Sequence, residues 1–176
     1  TLATLALVIG FGLLSWGLWM RGTLAGRLPA ANMYESLLFL SWGTGACAIL
    51  ASFFFRHRSV PLTASFMGAL SLCLADSLPM DSFIRPIPPV LQDTVWMSIH
   101  VPTIMVSYSV LALAVLVAHV QVISMALMPE RKRLAQQIDT AHMMYMHVGA
   151  ILLFIGIVTG SMWAASSWGR YWGWDS

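Results

Sequence analysis

Long apolar runs, separated by short polar or proline-rich connections, dominate this chain of 176 residues. A helix needs about 20 apolar residues to cross a hydrocarbon layer of about 30 Å. Five runs reach that length, near residues 1–20, 36–55, 61–79, 98–128 and 143–165. The pattern predicts an all-α fold, a polytopic transmembrane helix bundle forming one integral membrane domain over residues 1–176. The first run has no basic n-region and no small-residue cleavage site, so it reads as a span and not as a signal peptide. The fourth would reach about 46 Å at the helical rise, so at least one of its ends stands clear of the lipid.

Composition sharpens this picture. Only 9% of residues are charged and 59% are hydrophobic, and the mean hydropathy is +0.78. Soluble domains run near one-quarter charged, so the lipid bilayer is the first partner. A net charge of +2 gives no reason to expect nucleic acid binding. Cys47 and Cys73 lie inside apolar runs and make no CxxC pair, which fits buried free thiols. There is no CxxCH, so the chain is not itself a c-type cytochrome.

The basic residues suggest an orientation. Arg56, Arg58, Arg131, Lys132 and Arg133 crowd two short turns, while Arg21, Arg27, Arg85 and Arg170 are spread along the opposite side. The positive-inside rule then puts the crowded turns in the cytoplasm. Residues 21–35, the loop "SLPMDSFIRPIPPVLQDTVW" and the C-terminal stretch "WGRYWGWDS" fall outside.

That last stretch carries the strongest chemical signal. Continued as a helical turn, it places Trp168, Tyr171, Trp172 and Asp175 at i, i+3, i+4 and i+7, on one face. Gly169 and Gly173 flank this face, and Arg170 and Trp174 point away. Such a shelf suits a large planar apolar ligand. The plainer alternative is an interfacial aromatic belt.

Histidines are the second signal. His100 stands at the outer end of the fourth span, where it is either an interfacial imidazole or an axial ligand to haem iron. Pro102 follows and would bend the helix top. His119 lies deep in the same span, 19 residues away. That is about 28 Å along a helix, too far to share a metal with His100. An ionisable group at that depth is a functional candidate by default, although Gln121 or Tyr145 would satisfy it. His142 and His147 lie near the inner end of the fifth span, and His57 sits in an inner turn.

These residues carry a resemblance. "WGRYWGWD" resembles the tryptophan-rich WWD signature of the haem-handling proteins of cytochrome c biogenesis. "GRLPAANMYESLLFLSW", "IHVPTIMVSYSVLAL" and "GSMWAASSWGRYW" are similar to its CcsA/ResC branch. The resemblance runs from about residue 20 to the end. It implies haem b carried to the outer face, held by two external histidines and cradled by an external loop at residues 166–176. His100 matches the first external histidine. Trp168, Gly169, Tyr171, Trp172, Trp174 and Asp175 match the cradle. Asn32, Tyr34 and Glu35 match the branch motif, with a scaffold under the cradle as their simplest role. Arg85 and Arg170 are candidate propionate partners.

The resemblance further implies a subunit of a holocytochrome c synthase. It would work with a ResB/CcsB-type membrane partner, separate or fused, on the CxxCH of an apocytochrome c. Its contribution would be the positioning of haem and thiols, and no catalytic residue is assigned. The bacterial inner membrane, with the WWD loop on the periplasmic side, fits this reading, as does a thylakoid membrane. Ser176 stands where the signature usually continues with Pro, and the second external histidine is expected beyond it, which reads as a truncated chain. Two other classes compete. One is a b-type electron carrier using His119 with His142 or His147. The other is a non-haem membrane scaffold or transporter subunit.

Overall fold

The computed structural model describes residues 2–54, 59–89 and 95–173. They form five α-helices in chain order: α1 (Leu2–Ala25), α2 (Met33–Phe54), α3 (Ser59–Ser77), α4 (Val95–Leu127) and α5 (Lys132–Trp168). No strand occurs among the described residues. Thr4–Ala25, Met33–Phe53, Val95–Leu127 and Lys132–Trp168 are long and apolar enough to cross a membrane. The 19-residue α3 packs against α1, α2 and α4 where the pattern puts its third span.

Helix ends follow local chemistry more than hydropathy. α1 runs past its apolar stretch to Ala25 and stops at Gly26, which takes a left-handed φ of 63°. α4 ends shortly before Pro129. α5 begins at Lys132, eleven residues before the predicted span, because "KRLAQQIDTAH" is built from good helix formers.

The tightest packing joins α4 and α5 in an antiparallel pair, and glycines set its register. A Cβ at Gly149 would strike the side chain of Leu111, one at Gly156 that of Ile104, and one at Gly160 the imidazole of His100. Bulky residues of α4 therefore seat in a glycine-lined groove of α5. Ser107 Oγ donates to the Gly149 carbonyl at 2.9 Å along the same seam. At the far end Gln121 Nε2 donates to Asp139 Oδ1 at 3.0 Å. Around this pair, Ala48, Ala64, Val110, Leu113, Ala114, Val117 and Tyr145 form the buried core. The thiols differ from expectation: Cys47 is half-buried and Cys73 exposed, because α3 turns Cys73 away from the bundle.

A polar knot closes one end of the bundle. Asn32 caps α2, its Oδ1 accepting the Glu35 backbone N–H at 2.8 Å. The Glu35 carboxylate is fully buried and reaches back to accept the Ala31 N–H at 2.8 Å. Two guanidinium groups meet it, Arg21 and Arg27, each at 2.8 Å. Arg21 also donates to the Ser82 carbonyl and lies over the Tyr34 ring. Arg27 donates to the Arg85 carbonyl, and the Asn32 amide to the Asp81 carbonyl. The segment holding Asn32, Tyr34 and Glu35 thus fastens the end of α1, the start of α2 and the loop after α3 together.

A histidine and tryptophan cluster at one end of the bundle

His100 occupies the second turn of α4, two residues before Pro102, which the helix accommodates without interruption. Its ring fills the space left by Gly160, and Nδ1 lies 2.8 Å from the Gly156 carbonyl oxygen. A carbonyl can only accept, so in the neutral ring Nδ1 carries the proton and Nε2 keeps its lone pair. This is how a protein prepares an imidazole for a metal, with one nitrogen anchored to orient the other. The Trp163 ring lies 5.7 Å from the His100 ring, tilted by 34°. Trp168 lies a further 5.7 Å beyond Trp163.

Two hydrogen-bonding groups on this last stretch of α5 have no partner among the described residues, Trp163 Nε1 and Ser167 Oγ, although both atoms are buried. They stand four residues apart on α5, hence on one face. An imidazole lone pair, apolar ring faces and two unused donors together fit a planar apolar ligand that carries acceptors at its edge.

The tail departs from the predicted shelf. α5 stops at Trp168, and Gly169 adopts a left-handed φ of 71°, its N–H returning to the Ala165 carbonyl at 2.9 Å. Residues 169–173 are not helical, so Trp168, Tyr171 and Trp172 do not share a helical face. All three rings are exposed. Gly169 is therefore a C-terminal cap, where left-handed backbone favours glycine, and not a gap beside a shelf. The Arg170 guanidinium lies against Gly173. Trp174, Asp175 and His57 lie outside the described residues.

Other candidates fall elsewhere. Asn32, Tyr34 and Glu35 belong to the polar knot. Arg85 pairs with Asp81 and borders a cleft of about 740 Å³ that Arg27, Val95 and Ser98 also line. His119 neither meets Tyr145 nor engages Gln121; it is exposed and bonds the Val115 carbonyl of its own helix at 2.7 Å. His147 does the same with Met143 at 2.6 Å. No group of three or more His, Cys, Asp or Glu assembles among the described residues, so His100 offers a single ligand.

The fold is thus that of a polytopic helical membrane protein bearing an oriented imidazole among tryptophans. Residues 30–176 match the family model described as cytochrome C assembly protein. The chain belongs to that family. It is 33% identical over 187 residues to Protein NrfI of Wolinella succinogenes, covering 95% of this chain and 20% of that protein. It is 31% identical over 182 residues to a cytochrome c biogenesis protein CcsA from Synechococcus sp., covering 86% of this chain and 60% of the relative. A CcsA of Guillardia theta is 28% identical over 179 residues, with 86% and 58% covered. The chain therefore spans about three-fifths of these CcsA relatives and one-fifth of NrfI.

Proposed function

We propose that this protein presents haem b at the outer face of its membrane for attachment to the CxxCH of an apocytochrome c, with His100 as an axial ligand. The observation that carries this reading is the anchored imidazole: Nδ1 held by Gly156 at 2.8 Å, Nε2 free to ligate, and tryptophan rings beside it. Trp168, Gly169, Tyr171 and Trp172, on the capped helix end and the chain that leaves it, form the cradle in this reading together with Trp174 and Asp175. Arg170 and Arg85 are charged groups at the same end of the bundle that would serve the haem propionates.

Haem is the substrate here and supplies the vinyl groups that receive the cysteine thiols. The protein contributes position. His100 fixes the iron, the tryptophans exclude water from the ring, and a vinyl held beside a thiol reacts as if within one molecule. A ResB/CcsB-type partner completes the synthase, and residues 21–35 and the proline-rich loop "SLPMDSFIRPIPPVLQDTVW" face the outer side with the tail. The polar knot around Glu35 steadies the end on which the cradle rests.

The test is the absorption spectrum of the purified protein and its His100→Gly variant. The Soret band weakens in the variant and returns with added imidazole if His100 is a ligand. Identical spectra would return the tryptophans to the role of an interfacial belt.

A further inference from the structure

We propose that Trp163 and Ser167 form a carboxylate subsite that sets which edge of the haem faces inward. The proposal rests on the haem reading above and extends it to two residues outside the WWD stretch. Trp163 Nε1 and Ser167 Oγ are buried without a partner among the described residues. An orphaned buried donor is destabilising, and native structures leave few of them. Serines elsewhere in the bundle bond neighbouring carbonyls, as Ser107, Ser109 and Ser166 do. Ser167 does not, although its neighbour Ser166 takes the Trp163 carbonyl at 2.8 Å.

The two donors sit one turn apart on the α5 face that His100 packs against. Indole N–H only donates, so its partner must be an acceptor. Within reach of an imidazole that ligates iron, the acceptors a haem offers are its carboxylates. Trp168 leans on Trp163 and is half exposed, so a ligand reaching Trp163 comes up beside the Trp168 ring. The subsite lies on the C-terminal side of His100's contact with Gly160, toward the end of α5 where Arg170 adds a positive charge. Carboxylates held there turn the opposite edge of the macrocycle, which bears the vinyl groups, away from α5. Orientation then comes from hydrogen bonds, because stacking on tryptophan alone does not distinguish one edge from another.

The test compares protohaem IX with its dimethyl ester, titrated into the protein in detergent and read at the Soret band. The wild type should bind protohaem more tightly than the ester. Trp163→Phe and Ser167→Ala should each cost about tenfold in protohaem affinity, as for a hydrogen bond to a charged group. Both variants should narrow the preference for protohaem over the ester and leave the Soret position unchanged. Equal affinity of the wild type for the two ligands, or the same preference kept by both variants, would overturn the subsite while leaving His100 as ligand. His100→Gly, read in the same titration, separates that result from failure of the haem reading: no effect there removes the ligand itself.

Discussion

His100 and Gly160 face each other across the α4–α5 seam so closely that a methyl group on Gly160 would lie 2.6 Å from the imidazole Cε1. The glycine is what allows the ring edge to come close to α5 and reach the Gly156 carbonyl. Gly160→Ala should push the ring off that carbonyl, freeing it to rotate and lose its fixed tautomer. Haem affinity should fall at least tenfold, the effect typical of losing an orienting partner. Circular dichroism melting should barely change, because a terminal imidazole can move aside. A large drop in melting temperature would instead mark Gly160 as a packing residue only.

Deeper along the seam a larger substitution meets aliphatic side chains of α4 packed between the helices. Gly149→Val would collide with Leu111, and Gly156→Val with Ile104. Overpacking of this kind destabilises by about 1–3 kcal/mol. Detergent unfolding should register that loss for both variants. A variant as stable as the wild type would mean that the two helices separate without penalty.

The helical bundle is legible in the apolar runs because lipid leaves the backbone few options. Each predicted run contains or overlaps one of the five helices. The seam is not legible, since Gly149, Gly156 and Gly160 acquire meaning only once Leu111, Ile104 and His100 are known to face them. His100 stands out in the sequence by its place at the end of a span, and the structure gives it an anchored nitrogen. Nothing in the sequence marks Trp163 and Ser167, because only the fold shows their polar atoms buried without partners among the described residues. The shelf failed for a local reason. A spacing argument assumes that the helix continues, whereas "SSWGRY" carries a glycine where helices end.

Glu35 is buried between Arg21 and Arg27, which are themselves largely shielded. Removing its charge leaves two guanidinium groups near the interface with no carboxylate between them. Breaking such a buried pair typically destabilises by about 3–5 kcal/mol. Glu35→Gln should therefore lower the unfolding midpoint well below that of Asp81→Asn, which releases only the exposed Arg85 pair, worth about 1 kcal/mol or less. Equal effects from the two variants would mean the knot is no more than surface electrostatics.

Gly169 takes its left-handed turn to stop α5 and redirect the aromatic tail. An L-residue there is disfavoured by about 1–2 kcal/mol. Gly169→Val should extend or fray the helix and swing Tyr171 and Trp172 out of place, with little change in global stability. Haem dissociation, followed by transfer to apomyoglobin, should quicken several-fold. An unchanged rate would separate the tail from the site around His100.

The depth at which haem would bind divides delivery from electron transfer. A b-type carrier would use His119 with His142 or His147, yet His119 and His147 are both exposed, whereas His100 packs against α5. The seam also sets their levels. Gln121 meets Asp139 and Ser107 meets Gly149, so His147 stands closer to the level of Ser107 than to that of His119. His119→Ala and His147→Ala should accordingly leave the Soret band and haem content unchanged, alone and together. His100→Gly should reduce both. Loss of haem from the double variant with His100 intact would move the site into the membrane interior and reverse the functional assignment.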